Sequence, residues 1–184
     1  MIEINNLIFY LNPIVDPRNS KGIRHKQTTT LVIMIMAIRC GHTGLNAIAR
    51  FARSHRQALS KVMPLPRGKT PSSSTIPRLS RTIEFDQLCH AFNNGMRQYC
   101  PSEGLAIDGK SINSTVTSCH DSKQNFVSLV SFFGQRSNLV WRVGQLENAK
   151  SSEIHKVQEL LTLFDRKQSV VTLDALHGQK KRFN

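Results

Sequence analysis

With 184 residues, the chain is long enough to bury a hydrophobic core and fits one domain or two small ones. Its 25 Lys and Arg residues against 12 Asp and Glu give a formal net charge of +13, which predicts a polyanionic partner. The four cysteines form no C-x-x-C pair, so the sequence favours neither a disulfide framework nor a zinc site and suits a reducing, cytoplasmic setting. The apolar run Leu31 to Ile38 is too short to span a bilayer and too far from the start for a signal peptide.

The basic residues are concentrated in the first half of the chain. From Pro17 to Ile83 there are thirteen Lys or Arg residues and no acid, whereas residues 101–184 hold eleven basic and eight acidic residues. We therefore expect the first half to contact nucleic acid. An anionic membrane surface is the alternative partner for such a stretch.

Residues 1–15 carry apolar side chains without a clear period and are predicted to form an N-terminal arm. Residues 16–100 are predicted to form a basic helical domain. The apolar run that ends near Cys40 favours a helix, and Gly41 is suited to cap its C-terminus. Thr43 is predicted to cap a second helix.

Three arginines of this domain, Arg50, Arg53 and Arg56, emerge away from the apolar stripe of the second helix and are candidates to lie along DNA phosphates. Residues 67–81 are predicted to be loop-like, because a proline in their second half limits where a helix can start. Apolar side chains at helical spacing over residues 85–96 then predict a helix that packs on the first two.

After residues 99–104 the hydrophobic period changes from helical to strand-like, so a second domain is predicted over residues 104–184. Its first strand is predicted to run from Leu105 to Asp108. Residues 112–124 are rich in Ser, Thr and Asn and are predicted to form a polar loop.

The rest of this domain predicts two more strands, a helix and a fourth strand. Residues 126–133 and 139–146 have the composition of a hairpin, and a helix begins near Ser152. The helix leads to a strand that ends at Asp174. Because such crossovers are right-handed, the order β-β-β-α-β makes the first and fourth strands parallel neighbours.

Asp108 and Asp174 therefore each follow a buried strand at its C-terminal end. Neighbouring strands lie about 4.8 Å apart, so the two carboxylates could share a cation. Without a cation, two like charges this close would raise one pKa. The alternative is ordinary for each residue taken alone: Asp108 begins a turn with Gly109, and Asp174 caps the next helix.

Several ordered motifs carry a resemblance to a known family. They are Asp-Pro-Arg at 16–18, Arg-His at 24–25, Ala-Ile-Asp-Gly-Lys at 106–110, Lys-Ser-Ser-Glu-Ile at 150–154 and Thr-Leu-Asp-Ala at 172–175. Together they resemble the H-repeat-associated family of bacterial insertion-sequence transposases, including its associated N-terminal helical domain. The element order resembles the opening half of a ribonuclease-H-like fold. The expected fold class is thus α+β or α/β, with a helical domain followed by an incomplete ribonuclease-H-like mixed sheet.

The resemblance implies DDE chemistry, in which three acids hold two Mg²⁺ or Mn²⁺ ions and in-line attack at phosphorus cleaves and transfers DNA strands. On that basis Asp108 would bridge both ions and Asp174 would bind one. Lys110 would contact a phosphate or, equally well, face solvent. The expected partners are double-stranded DNA at the ends of the element and a second copy of the chain, with no membrane and no small-molecule cofactor.

The sequence departs from the family pattern in its last part. It ends ten positions after Asp174 (184 − 174 = 10) and offers no match to the third acid. Where the family has Asn in Lys-Ser-Asn-Glu, Ser152 stands here. The expectation is therefore a truncated or decayed DDE transposase. A non-catalytic DNA-binding remnant is the alternative, and a metal-dependent nuclease of the same fold is a third reading.

Overall fold

The computed structural model describes residues 4–97, 104–117, 125–147, 153–162 and 170–172, and it divides the chain into two units, residues 1–91 and residues 92–184. No helix within these described ranges combines the length and apolarity needed to cross a membrane. Along the chain the elements are α1 (Ile4–Leu11), α2 (Gln27–Arg39), α3 (Leu45–Ser54), α4 (Arg56–Val62), a 3₁₀ turn (Pro66–Gly68), α5 (Thr75–Thr82), α6 (Phe85–Arg97), β1 (Leu105–Thr117), β2 (Asn125–Gly134), β3 (Val140–Glu147), α7 (Glu153–Thr162) and β4 (Val171–Thr172).

Helix α2 supplies much of the core of the first unit because its sequence is apolar on nearly every side. Its residues 31–33 are buried and pack with Leu11 of α1 and with Ile14 just after it. The segment 1–15, which the sequence predicts as an arm, thus differs in the structure: residues 4–11 form a helix. Its apolar side chains gain free energy by leaving water, so the segment joins the core.

Two helix caps were predicted from the sequence, one at the C-terminus of α2 and one at the N-terminus of α3. Gly41 follows α2 with φ +83°, the left-handed conformation expected of a glycine in this position, so that prediction is confirmed. Helix α3 begins one residue later than predicted. Its N-cap is Gly44, and no side chain caps it, so the prediction for Thr43 is wrong.

Helix α5 lies inside the stretch predicted to be loop-like, and that prediction is wrong for residues 75–81. Pro77 is the third residue of the helix, where the missing N–H would have had no partner within the helix. Ile76 and Leu79 are fully buried on the inner face of α5. Burial of these two side chains therefore stabilises a short helix that local propensity alone does not favour.

The second unit contains a four-stranded mixed sheet in the order β3-β2-β1-β4. Strand β1 pairs antiparallel with β2 and parallel with β4, and β2 pairs antiparallel with β3. Helix α7 lies between β3 and β4 in the chain, so the predicted β-β-β-α-β order and the parallel neighbours β1 and β4 are confirmed.

Strand β1 is longer than predicted, since it continues to Thr117 through the first part of the expected polar loop, while residues 118–124 of that loop lie outside the described residues. Asp108 is thus the fourth residue of β1, and the prediction that it stands at the C-terminal end of the strand is wrong.

The polar side chains of β1 are used in pairing with β2. The Ser111 and Ser128 hydroxyls lie 3.1 Å apart, and Val127 N donates to Thr115 Oγ1 at 2.9 Å. Hydroxyl groups can thus continue a strand where apolar alternation stops.

The core of the second unit lies on one face of the sheet. Leu105 and Ile107 of β1 are buried with Val157 and Leu160 of α7. Because successive side chains on a strand point to opposite faces, Asp108 lies on the other face of β1. The fold therefore leaves the first predicted acid on the face away from this core.

Asn93, in the second half of α6, completes the hydrogen bonding of edge strand β3. Its Nδ2 donates to Val143 O at 2.9 Å, and Val143 N donates to Asn93 Oδ1 at 2.9 Å. The amide group thus takes the place of a neighbouring strand for one residue. Asn93 is 7% exposed, so these bonds satisfy polar groups that water scarcely reaches.

Candidate functional site

Asp108 is exposed on β1 and stands opposite Ser131 of β2. Lys110 is two residues further along the strand, so it lies on the same face as Asp108, and it is also exposed. Exposure leaves the carboxylate of Asp108 and the ammonium of Lys110 accessible to a ligand. The predicted roles of both residues as metal and phosphate ligands stay predictions.

The strand that leads to the second predicted acid is described at Val171 and Thr172, while Asp174 lies outside the described residues. Leu105 stands opposite Val171, and Ala106 stands opposite Thr172. The structure therefore brings the two predicted strands together in the predicted direction. The proximity of the two aspartates remains a prediction.

The Thr172 hydroxyl links β4 to β1 and to the turn after β2. Thr172 Oγ1 donates to Leu105 O at 3.1 Å and accepts a hydrogen bond from Gln135 Nε2 at 3.0 Å. Gln135 N in turn donates to Gly104 O at 2.9 Å. A Cβ at Gly104 would stand 2.6 Å from Gln135 Oε1, so glycine gives this side chain its space. Sequence reasoning missed this link because its members are 37 and 67 positions apart.

Carboxylate oxygens are ligands that Mg²⁺ and Mn²⁺ prefer, so Asp108 has the right chemistry for the predicted metal site. Within the part of the chain that the structure describes, no three His, Cys, Asp or Glu side chains are grouped to hold a metal ion. Asp108 is thus the one described member of the predicted pair.

Arg50, Arg53 and Arg56 are all exposed, as predicted for a surface that meets DNA. The first two lie on α3 and the third begins α4, where the ring of His55 stacks on Phe51 at 4.4 Å between centroids. The neighbouring residues of α3 that are buried are Ile48, Ala49, Phe51 and Ala52. The predicted apolar stripe is therefore confirmed except for Leu45, which is exposed, and contact of these arginines with DNA stays a prediction.

Asp16 fixes the position of Arg18 and thereby the loop that leads to α2. Arg18 Nε donates to Asp16 Oδ1 at 2.8 Å, and Arg18 Nη2 donates to Asp16 Oδ2 at 2.7 Å. Arg18 Nη2 also donates to His25 O at 3.0 Å. The hydrogen bonds from Arg18 lower the pKa of Asp16 below its usual range.

His25 is only 5% exposed, and its Nδ1 has no hydrogen-bond partner among the described residues. Burial lowers the pKa of His25, and the positive charges of Arg24 and Arg18 lower it further. The imidazole is therefore held in its neutral form more strongly than an exposed histidine would be.

A concave basic groove of about 840 Å³ lies in the first unit beside His25. It is formed by the loop of residues 18–25 on one side and by residues 69–82, including α5, on the other. Its lining contains six Lys or Arg side chains and no Asp or Glu: Arg18, Lys21, Arg24, Lys69, Arg78 and Arg81. The two sides of the groove are about fifty positions apart in the sequence. The acid-free stretch is therefore the only feature of the sequence that points to this groove.

Comparison with known proteins agrees with the motifs. Residues 8–95 match the family described as DDE_Tnp_1-associated. The chain is 29% identical to "Putative transposase YncI" of Escherichia coli O157:H7, over 97% of this chain and 46% of that protein. It is 28% identical to "H repeat-associated putative transposase YhhI" of Escherichia coli strain K12, over 97% and 47%. It is also 28% identical to "H repeat-associated putative transposase YbfD" of the same strain, over 97% and 70%.

The chain thus spans about half the length of the first two of these relatives. No solved structure matches it. The matched segment of residues 8–95 covers the basic helical part, and the alignments to the relatives continue through the sheet. Residues 8–95 therefore match the DDE_Tnp_1-associated family, and nearly the whole chain is similar to H-repeat-associated putative transposases, in agreement with the resemblance that its motifs carry.

Proposed function

We propose that this chain binds insertion-element DNA and provides a pair of carboxylates, Asp108 and Asp174, for metal-dependent DNA strand cleavage and transfer. One observation carries the proposal. The parallel pairing of β1 with β4 has a constant offset of 66 residues (171 − 105 and 172 − 106). The same offset, carried two residues further, would pair position 108 with position 174.

The topology of the second unit gives further support. A ribonuclease-H-like fold begins with three antiparallel strands and a helix that crosses to a parallel strand beside the first. The strand order β3-β2-β1-β4 with α7 before β4 is compatible with that beginning. Asp108 and Asp174 follow the apolar runs that begin β1 and β4.

On this proposal each described side chain has a separate task. Asp108 would hold Mg²⁺ or Mn²⁺ together with Asp174, and the bound ions would supply the activated nucleophile and stabilise the leaving oxygen. Lys110, on the same face of β1, would attract a DNA phosphate toward Asp108. The exposed arginines of α3 and α4 would hold DNA through its backbone, without reading its sequence.

The test uses the full chain, Mg²⁺ or Mn²⁺, and labelled duplex DNA from the end of the element. We expect the substitution Asp108→Asn to reduce strand cleavage on the order of 100-fold or more, because an amide is a poor ligand for these ions. Asp86→Asn is the matched control, since Asp86 is an exposed acid in the first turn of α6. Equal cleavage by wild type and Asp108→Asn would contradict the assignment of this acid.

Cleavage without joined DNA products would instead identify a nuclease.

A non-catalytic DNA-binding protein is the second candidate, and the basic first half favours it. Between Pro17 and Ile83 the sequence has thirteen basic residues and no acid. This candidate predicts DNA binding that weakens steeply with salt, together with no cleavage in either metal ion.

A further inference from the structure

We infer that the basic groove between residues 18–25 and residues 69–82 holds the phosphodiester backbone of duplex DNA, in addition to the exposed arginines of α3 and α4. The inference rests on the proposed function for the identity of the polyanion. It differs from the sequence-based prediction, which placed DNA contact on Arg50, Arg53 and Arg56. The groove is assigned from its charges, its hydrogen-bonding groups and its shape.

The positive charges of the groove are not neutralised by its surroundings. Of its six basic side chains, Arg18 is engaged with Asp16. No ion pair in the described part of the chain involves the other five, all of which are exposed: Lys21, Arg24, Lys69, Arg78 and Arg81. Since like charges collected in a concavity raise the local potential, the groove attracts anions more strongly than scattered surface cations would.

The start of α5 adds neutral hydrogen-bonding groups to this charge. Ser72, Ser74 and Thr75 line the groove, and their hydroxyls form a chain with separations of 3.0 Å and 2.9 Å. The backbone N–H groups at the start of α5 are already used, because Thr75 N and Ile76 N donate to Ser72 O and Pro77 has no N–H. The hydroxyls are therefore the neutral groups that this side of the groove offers, and phosphate oxygens accept hydrogen bonds from hydroxyls.

His25 is an independent sign of a ligand. It lines the groove and is 5% exposed, yet its Nδ1 has no hydrogen-bond partner among the described residues. A buried polar atom without a partner costs free energy, on the order of 1–3 kcal/mol. Arg18 Nη2 donates to Asp16 and to the backbone oxygen of His25, not to the His25 ring. A phosphate in the groove would provide the acceptor or charge that this histidine lacks.

The residues that line the groove are better suited to duplex DNA than to a lipid surface or a single strand. It includes a single large apolar side chain, Ile23, so it offers little that could insert into a lipid surface. It contains no Phe, Tyr or Trp on which the bases of a single strand could stack. Its groups therefore suit the regular phosphate backbone of a duplex, which is recognised by charge and hydrogen bonds.

The experiment compares three full-length variants, each of which loses three positive charges. The groove variant carries Lys21→Gln, Arg24→Gln and Arg81→Gln. The α3 variant carries Arg50→Gln, Arg53→Gln and Arg56→Gln. The control variant replaces three exposed helical residues that do not line the groove: Arg39→Gln, Lys61→Gln and Arg97→Gln. Binding to a labelled duplex is measured from about 50 to about 200 mM salt, the range over which backbone contacts weaken strongly.

We expect the groove variant to bind at least about tenfold more weakly than wild type, with a salt slope lower by about two to three, because up to three phosphate contacts are lost. The control variant should stay within about threefold, since it changes only the overall charge. Hydrogen–deuterium exchange on the wild-type chain is a second readout that needs no substitution. Bound duplex should protect backbone amides of residues 18–25 and 72–75.

Two results would overturn the groove assignment while leaving the proposed function intact. In one, the groove variant binds like the control variant while the α3 variant loses affinity. In the other, the duplex protects neither segment of the groove. A wild-type chain that does not bind the duplex would overturn both proposals. Binding to phosphatidylserine vesicles in place of DNA would reassign the groove to a membrane surface.

Discussion

At the scale of single residues, hydrogen bonds connect Asp16, Arg18 and His25 in the loop that precedes α2. Asp16 holds Arg18 through two hydrogen bonds, and Arg18 holds the backbone of His25. The motif residues Asp-Pro-Arg and Arg-His thus act on one loop. Sequence spacing could flag these residues as a family motif. It could not reveal their contact, because the loop geometry between positions 18 and 25 depends on tertiary packing.

Replacing Asp16 by Asn should lower the free energy of unfolding by about 1 kcal/mol or less, since the ion pair is partly exposed to solvent. The pKa of Asp16 is lowered in the folded state. Its contribution is therefore present above the carboxyl pKa of the unfolded chain and is lost as the pH falls through the lower folded-state pKa. Urea unfolding of wild type and Asp16→Asn measures the difference, with Asp86→Asn as control. A difference that stays constant down to strongly acidic pH would contradict the ion-pair explanation.

His25 should make folding stability depend on pH in the mildly acidic range. Burial, with Arg24 and Arg18 nearby, lowers its pKa from the ordinary value of 6.5. Above that value His25 is neutral in both states and has no effect. As the pH falls through it, the unfolded chain takes up a proton that the folded chain resists, so stability decreases. Urea midpoints at about pH 7.5 and about pH 5.5 measure this loss.

The substitution His25→Gln should reduce that pH dependence, whereas His90→Gln, at an exposed position on α6, should leave it unchanged. An equal loss of stability on acidification in wild type and His25→Gln would show that other groups are responsible.

At the scale of elements, the parallel contact of β1 with β4 depends on few groups in the described chain. The Thr172 hydroxyl bridges Leu105 O and Gln135 Nε2, and backbone pairing and the packing of Val171 on the apolar cluster add to this contact. Replacing Thr172 by Val keeps the shape and removes both hydrogen bonds. We expect a loss of about 1 kcal/mol in the stability of the sheet, measured by urea unfolding.

Thr172→Ser is the matched control for this change, because it retains the hydroxyl and loses only a methyl group. It should keep most of the stability that Thr172→Val loses. If both variants were equally destabilised, the methyl contact rather than the hydroxyl bridge would hold β4 in place.

Sequence reasoning succeeded where apolar residues form a clear period or a continuous run and failed where tertiary contacts decide. Helix α6 was predicted from helical apolar spacing, α2 from a continuous apolar run, and the hairpin of β2 and β3 from strand-like composition, and all are confirmed. Helix α5 was missed because Pro77 suggests a loop, although the first turn of a helix tolerates proline, and because the burial of Ile76 and Leu79 depends on tertiary packing. The second half of β1 was missed because its hydroxyl side chains read as a loop, although they pair with β2.

At the scale of the whole molecule, the sequence shows two parts with different tasks: an acid-free basic half and a half with paired strands. The predicted border was the composition change at residues 99–104, whereas the structure divides the chain between Ala91 and Phe92. Apolar periodicity cannot locate such a border. Leu88 and Met96 belong to the same apolar stripe of α6, yet they pack against different clusters.

The candidate site was predictable from the sequence only in part. The crossover rule placed β4 beside β1, whereas the face of β1 on which Asp108 lies follows from the packing of α7. The groove was not predictable, because its two sides approach each other only through the packing of α5.

Residues of α6 pack in both units, and this affects any attempt to express the two units as separate fragments. A fragment that starts after residue 100 would lack Asn93, and Val143 would then have to find water or a foreign strand for its N–H and C=O. A fragment that starts at residue 85 would keep Asn93 and would deprive the other half of Leu88. Residues of α6 thus contribute to both units, so a cut before α6 or after it takes a contact away from one of them.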